Sequence, residues 1–139
     1  MYLLDTMLIS EPRRPRPAAG VMRFLDQQPL ALLYTSVIVV GELRRGAVEQ
    51  RDTLYGARIE KWIDDDVLRT FAGRVLGIDE ETAETWGALR GRAARNGVTL
   101  PPVDALIAAT AIVHGLTVAT RNEADFLRCG VAVRNPWTE

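Results

Sequence analysis

Three short stretches of this chain share one grammar, and it narrows the fold more than any other feature. "YLLDT" (2–6), "LLYTS" (32–36) and "LTVAT" (116–120) are apolar, β-prone runs that end on Thr or Ser, and a helical pattern follows each. Strands that alternate with helices make βαβ units, and these build a parallel sheet. The helical patterns are predicted near 18–28, after the prolines of "PRRPRP", and near 36–50, with Ser36 as N-cap. A long helix or a broken pair is expected near 52–73, and another helix over 79–96, ending before Gly97. "PPVDALIAATAIVHG" (101–115) reads as a helix with Pro in its first turn and Gly at its end. A short helix, "NEADFLRCG" (122–130), and a last strand, "VAVR" (131–134), complete the reading.

With 139 residues, one domain spanning 1–139 is expected. Such a domain buries about two-thirds of its unfolded surface, enough for a core without covalent staples. Cys129 is the only cysteine, so no internal disulfide can form and cysteine-rich zinc frameworks are excluded; a reducing, cytoplasmic setting fits. Net charge is −1, so no overall field draws the chain to nucleic acid or to a membrane. No apolar run approaches the roughly 18 residues of a membrane span. "MYLLDT" lacks the basic start and long apolar centre of a signal peptide. Lys61 is the only lysine among 17 basic residues. Trp62, Ile63, Trp86 and Leu89 sit at helical spacing and read as core before they read as an interface.

Open parallel sheets bind ligands beyond the carboxyl ends of their strands. Asp5 stands at such an end, and "TRNEAD" follows another. Asp104 shares its helical stripe with Ile107, Ala108 and Ala111, where a carboxylate is costly unless paired, hydrogen-bonded or metal-bound. Each acid also has a structural explanation. Asp104 lies in a first turn, where it favours the helix dipole. Asp5 can N-cap the turn that starts at Thr6. Glu42, Arg45 and Glu49 can form a solvated salt-bridge face. Asn122 can cap its helix, with Asp125 favouring the same N-terminus. Taken together, several carboxylates at one rim repel one another, and a divalent cation removes the conflict. Oxygen ligands suit Mg²⁺ or Mn²⁺; with single His114 and Cys129, zinc does not fit.

The order and spacing of "LLDTMLISE", "VVGELRRG", "PPVDALIAATAIVHGLTVATRNEADF" and "VRNPW" give the chain a likeness over nearly its whole length. It resembles PIN-domain ribonucleases, most closely the toxins of VapBC-type toxin–antitoxin pairs in the FitB-like subgroup. The resemblance implies a three-layer α/β/α fold with a mainly parallel central sheet. It implies a catalytic set of Asp5, Glu42, Asp104 and an acid in "TRNEADF", here Asp125. Asp5 and Asp104 match the metal ligands, and Mg²⁺ or Mn²⁺ is the implied cofactor. Two positions depart from the pattern. Met7 stands where many relatives have Asn, and Asn122 stands where some carry an acid, so either Asp125 or Asn122 completes the site.

The implied reaction is metal-dependent hydrolysis of RNA by water, leaving a 5′ phosphate. Thr6 and Thr120 are placed to hydrogen-bond the carboxylates or substrate. Arg13, Arg14 and Arg16 lie on a proline-rich loop after Asp5, and Arg44, Arg45 and Arg121 flank the other acidic segments. Such arginines position a phosphate backbone without reading sequence, or are simply solvated. The resemblance further implies a VapB- or FitA-like antitoxin, RNA such as tRNA or rRNA as substrate, a homodimer, and contact with operator DNA only through the antitoxin. The competing reading is a catalytically weak binding module that acts through antitoxin binding and operator repression. A phospho-acceptor receiver domain is disfavoured because Asp5 has no acidic neighbour and Lys61 is mid-chain. A dehalogenase-type phosphatase would need an acid where Met7 stands.

Overall fold

Every strand pairing in the molecule is parallel. The computed structural model describes residues 1–139. Its sheet holds β1 (Tyr2–Leu4), β2 (Leu33–Ser36), β3 (Val75–Leu76), β4 (Thr117–Ala119) and β5 (Val133–Arg134) in the order β3-β2-β1-β4-β5. Leu3 pairs with Tyr34 on one side and Val118 on the other, which makes β1 the central strand. The sheet is flanked by helices, as the α/β/α expectation required.

Eight helices connect the strands: α1 (Thr6–Ser10), α2 (Ala19–Gln27), α3 (Val37–Glu49), α4 (Leu54–Trp62), α5 (Leu68–Thr70), α6 (Glu80–Arg95), α7 (Pro102–His114) and α8 (Glu123–Arg128). The expected 52–73 segment runs as α4, a π-turn over Ile63–Val67, and α5. Ser36 caps α3 as expected, accepting the Val39 N–H at 3.2 Å. In α7, Pro102 occupies the first turn. Gly115 ends the helix at φ 66°, a left-handed conformation that glycine adopts without steric cost. β3 is the strand the sequence did not suggest; two residues carry no periodicity.

Leu3, Leu4, Leu8, Val39, Ile107, Ala108, Val118 and Phe126 are buried in one core. Ile63 and Leu89 are buried, and Trp62 and Trp86 pack against the core, so these four are core residues first. No helix is long and apolar enough to cross a membrane.

The strand order fixes where a ligand can sit. The chain moves outward from β1 to β2 to β3, then crosses back to lay β4 on the other side of β1. Right-handed crossovers then send the connections on the two sides to opposite faces. A crevice opens where the direction reverses, beyond the carboxyl ends of β1 and β4. Asp5 follows β1 directly, and Thr120 follows β4 directly.

Candidate active site

Asp5 does two things at once. Its Oδ1 accepts the Thr6 N–H at 2.7 Å and caps α1, while its Oδ2 accepts the Thr120 hydroxyl at 2.8 Å. The capping reading and the site reading of the sequence therefore describe the same carboxylate. Burial raises its pKa above the usual carboxylate value, the Thr120 and Thr6 hydrogen bonds oppose that, and the nearby Glu42 charge adds to it. Thr120 is itself buried and also accepts the Asn122 N–H at 3.0 Å. The Thr6 side chain makes no hydrogen bond to a carboxylate; its contribution is the backbone N–H.

Asp104 lies in the first turn of α7. Its pKa is pushed up to about 6, first by burial and then by the charges of Asp5, Asp125 and Glu42; the Asn122 hydrogen bond acts the other way. Asn122 does not cap α8 with its side chain. Its amide instead donates to Asp125 Oδ2 at 2.8 Å and to Asp104 Oδ2 at 3.2 Å. The expected cap gives way because two carboxylates are better acceptors for an amide N–H than anything the helix end offers. Asp125 also pairs with Arg128 at 3.4 Å.

Glu42 faces the same group from α3, while its Oε2 pairs with Arg45 at 3.0 Å. The salt-bridge face read from the sequence is present too, since Arg45 also reaches Glu49 at 3.9 Å. Met7 is 46% exposed and brings no polar atom to the rim.

The four acids thus come from four elements. Asp104 meets the charges of the other three, and neither Asp5 nor Asp104 has a basic partner. No three of the acidic, thiol or imidazole groups stand close enough to form a ready metal cage. That spacing is consistent with like charges that repel, and Mg²⁺ takes only one or two carboxylates, keeping waters for its other positions. The donor chemistry therefore fits a hard divalent ion, with Asp5 and Asp104 as the unpaired carboxylates. It does not fit zinc. Cys129 donates its thiol to Asp125 O at 3.2 Å, and burial with the Asp104 and Asp125 charges pushes its pKa up to about 11. A thiol held neutral is a poor metal ligand.

The arginines divide. Arg44 pairs with Asp64 at 2.5 Å, and Arg14 with Glu11 at 3.6 Å. Arg13 stacks over the Trp62 ring at 4.6 Å. Arg16 and Arg121 are exposed. Sequence reasoning missed Glu11. It is 3% exposed and accepts the Ala18 N–H at 2.8 Å, closing the arginine loop from within. A glutamate between Ser10 and Pro12 reads as loop surface, and only the turn geometry reveals it as buried.

A model of the PIN domain matches residues 2–131. Toxin FitB of Neisseria gonorrhoeae is 41% identical over 137 residues, covering 99% of both chains. VapC ribonuclease Y4jK of Sinorhizobium fredii is 37% identical over 141 residues, covering 99% of this chain and 98% of its own. The structure of FitAB bound to an IR36 DNA fragment superposes with a TM-score of 0.91 at 39% identity, covering 99% of this chain and 96% of that one.

Proposed function

The chain belongs to the PIN-domain family, and on that footing we propose that it is the ribonuclease toxin of a toxin–antitoxin pair. It hydrolyses RNA phosphodiester bonds with Mg²⁺ or Mn²⁺ held by Asp5 and Asp104. One observation carries the reading: four carboxylates from four elements lie within electrostatic reach of Asp104 or one another near the switch point of the sheet, and Asp5 and Asp104 have no basic partner. The names of the relatives support it, one a toxin and one a ribonuclease. A relative solved together with its FitA partner and DNA supports a small antitoxin as the binding partner, with DNA reached through it. Self-association into a homodimer and a cytoplasmic site of action belong to the same proposal.

A bound divalent ion supplies the positive charge that stabilises the phosphate under attack and acidifies water at neutral pH. The protein does the rest. Thr120 and the Thr6 N–H fix the rotamer of Asp5, so a ligand oxygen is aimed before the ion arrives. Asn122 spans Asp104 and Asp125 and holds them apart at a fixed separation. Arg45 occupies Oε2 of Glu42, leaving Oε1 to accept a proton from the attacking water. Water adds to phosphorus as its proton passes to Glu42, the bond to the 3′ oxygen breaks, and that oxygen takes up a proton from solvent. The products are a 5′ phosphate and a 3′ hydroxyl.

The test is cleavage of total RNA, including tRNA and rRNA, by antitoxin-free protein with Mg²⁺ or Mn²⁺. Cleavage should vanish with EDTA and in Asp104→Asn, and the products should carry 5′ phosphates. A 2′,3′-cyclic phosphate would overturn the mechanism. Intact metal binding with no cleavage of any RNA would favour a binding module acting with the antitoxin, a reading that the apolar Met7 at the rim supports.

A further inference from the structure

A cleft of about 480 Å³ opens directly off the carboxylate site. Thr6 and Glu42 are among its lining residues, so it adjoins the acidic cluster. Arg13 and Arg14 line it from the proline-rich loop, and Tyr55 and Trp62 from α4. Its volume falls within the roughly 300–1,000 Å³ typical of small-ligand sites.

The walls are fixed. Glu11 is buried, accepts the Ala18 N–H and pairs with Arg14, which ties that guanidinium to the cleft. Arg13 lies over Trp62, closing one face of the indole. Thr53 caps α4 by accepting the Gly56 N–H at 3.0 Å. Gly56 lies so close to the preceding turn that a Cβ there would stand 1.9 Å from Gln50 O. These contacts hold the first turn of α4 against the turn before it, and Tyr55 within it is 57% exposed. An exposed aromatic residue and two arginines lining one cleft is a combination that suits single-stranded nucleic acid: the ring stacks a base and the guanidinium groups take the phosphate.

We propose that this cleft binds the single-stranded ribonucleotide that flanks the scissile phosphate, with its base on Tyr55 and its phosphate on Arg14 and Arg13. The assignment rests on the ribonuclease reading, because that reading places the reacting phosphate beside Glu42, which lines the cleft. It gives the enzyme a preference for unpaired RNA, since a base in a duplex cannot reach the ring. Arg13 has no carboxylate partner, so the cleft carries no net negative charge to repel the strand. Glu11 is paired with Arg14, and Glu42 with Arg45.

The experiment uses the full-length, antitoxin-free protein and a fluorescein-labelled random hexaribonucleotide, with Ca²⁺ replacing Mg²⁺ or Mn²⁺ during binding. Tyr55→Phe should bind as the parent does. Tyr55→Ala should weaken binding roughly 5- to 150-fold, the range for loss of one stacked base. Arg14→Ala should weaken binding and reduce the log–log salt slope by about 0.7, one single-strand phosphate contact. In cleavage assays with Mg²⁺ or Mn²⁺, Tyr55→Ala should raise KM far more than it lowers kcat. Asp104→Asn separates the two proposals, because it should stop cleavage while hexamer binding persists. If the parent protein cleaves RNA but Tyr55→Ala and Arg14→Ala leave KM and hexamer affinity unchanged, the assignment is wrong. If those variants lose affinity only for the antitoxin, the cleft belongs to the protein partner, and the assignment is equally wrong. If the parent binds the hexamer through Tyr55 but never cleaves, the ribonuclease reading has failed and the binding site stands.

Discussion

The hydroxyl of Thr120 donates to Asp5 Oδ2 at 2.8 Å, joining two residues 115 positions apart in the chain. Both follow neighbouring strands, β1 and β4, on either side of the topological switch point. Thr120→Val keeps the shape and removes the donor. A partly buried carboxylate that loses a hydrogen-bond partner costs up to about 1–3 kcal/mol. The variant should lose stability of that order in urea titrations at pH 7. Its half-saturating Mn²⁺ concentration should rise, while Thr120→Ser stays close to the parent on both measures.

The raised pKa of Asp104 makes a prediction of definite sign. The folded protein keeps a proton on this group up to about pH 6, whereas the unfolded chain releases it near the ordinary carboxylate value. Its contribution to stability is therefore fully present below the unfolded pKa and lost as pH rises through about 6. Without metal, Asp104→Asn should melt higher than the parent above pH 6, and the gap should close toward pH 4. With Mn²⁺ the order should reverse above pH 6, because only the parent gains ligand stabilisation. Thermal melts across pH, with EDTA or Mn²⁺, check both halves.

Asn122 holds Asp104 and Asp125 with one amide group. Asn122→Ala should leave Asp104 more reluctant to ionise, moving the acid limb of the pH–activity profile upward. Asn122→Asp restores the acid that some relatives carry but adds a carboxylate to a crowded rim. The metal-free protein should then melt lower than the parent, and the stabilisation by Mn²⁺ should be larger.

Gly20 tests the architecture away from the site. A Cβ there would stand 2.1 Å from Pro136 O and 2.7 Å from Glu139 O, where the final turn crosses α2. Gly20→Ala should destabilise the protein by about 1–3 kcal/mol through overpacking. Truncation after Asn135 should make the same substitution nearly neutral. The non-additivity, read from urea midpoints, reports the contact.

Much of this arrangement was legible in the sequence because its causes are local. The β-run of residues 2–4 ends on Asp5, the apolar stripe of α7 isolates Asp104, and Ser36 marks a helix start; each can be seen within a few residues. What was hidden depends on long-range packing. Asn122 occupies a cap position, but its amide turns to two carboxylates, one of them 18 residues away. Glu11 is buried by a loop that folds over it. The arginines read as a loose basic surface, yet Arg44, Arg45 and Arg14 are paired with acids and Arg13 lies on an indole ring. β3 is two residues, Val75 and Leu76, set between Arg74 and Gly77 with no longer apolar run to mark it, whereas β5 lies at the end of the apolar run of residues 131–133.

The central place of β1 also bears on how the chain is made. Its strand emerges long before one of its two neighbours, Thr117–Ala119, during synthesis. Until then Asp5 lacks Thr120, and the rim lacks Asn122 and Asp125. Pairing so distant in sequence is slow to form. A chain in which β4 has not yet docked therefore carries only part of the candidate site. The part of the sheet that assembles across the greatest sequence separation is thus the part that completes the candidate site.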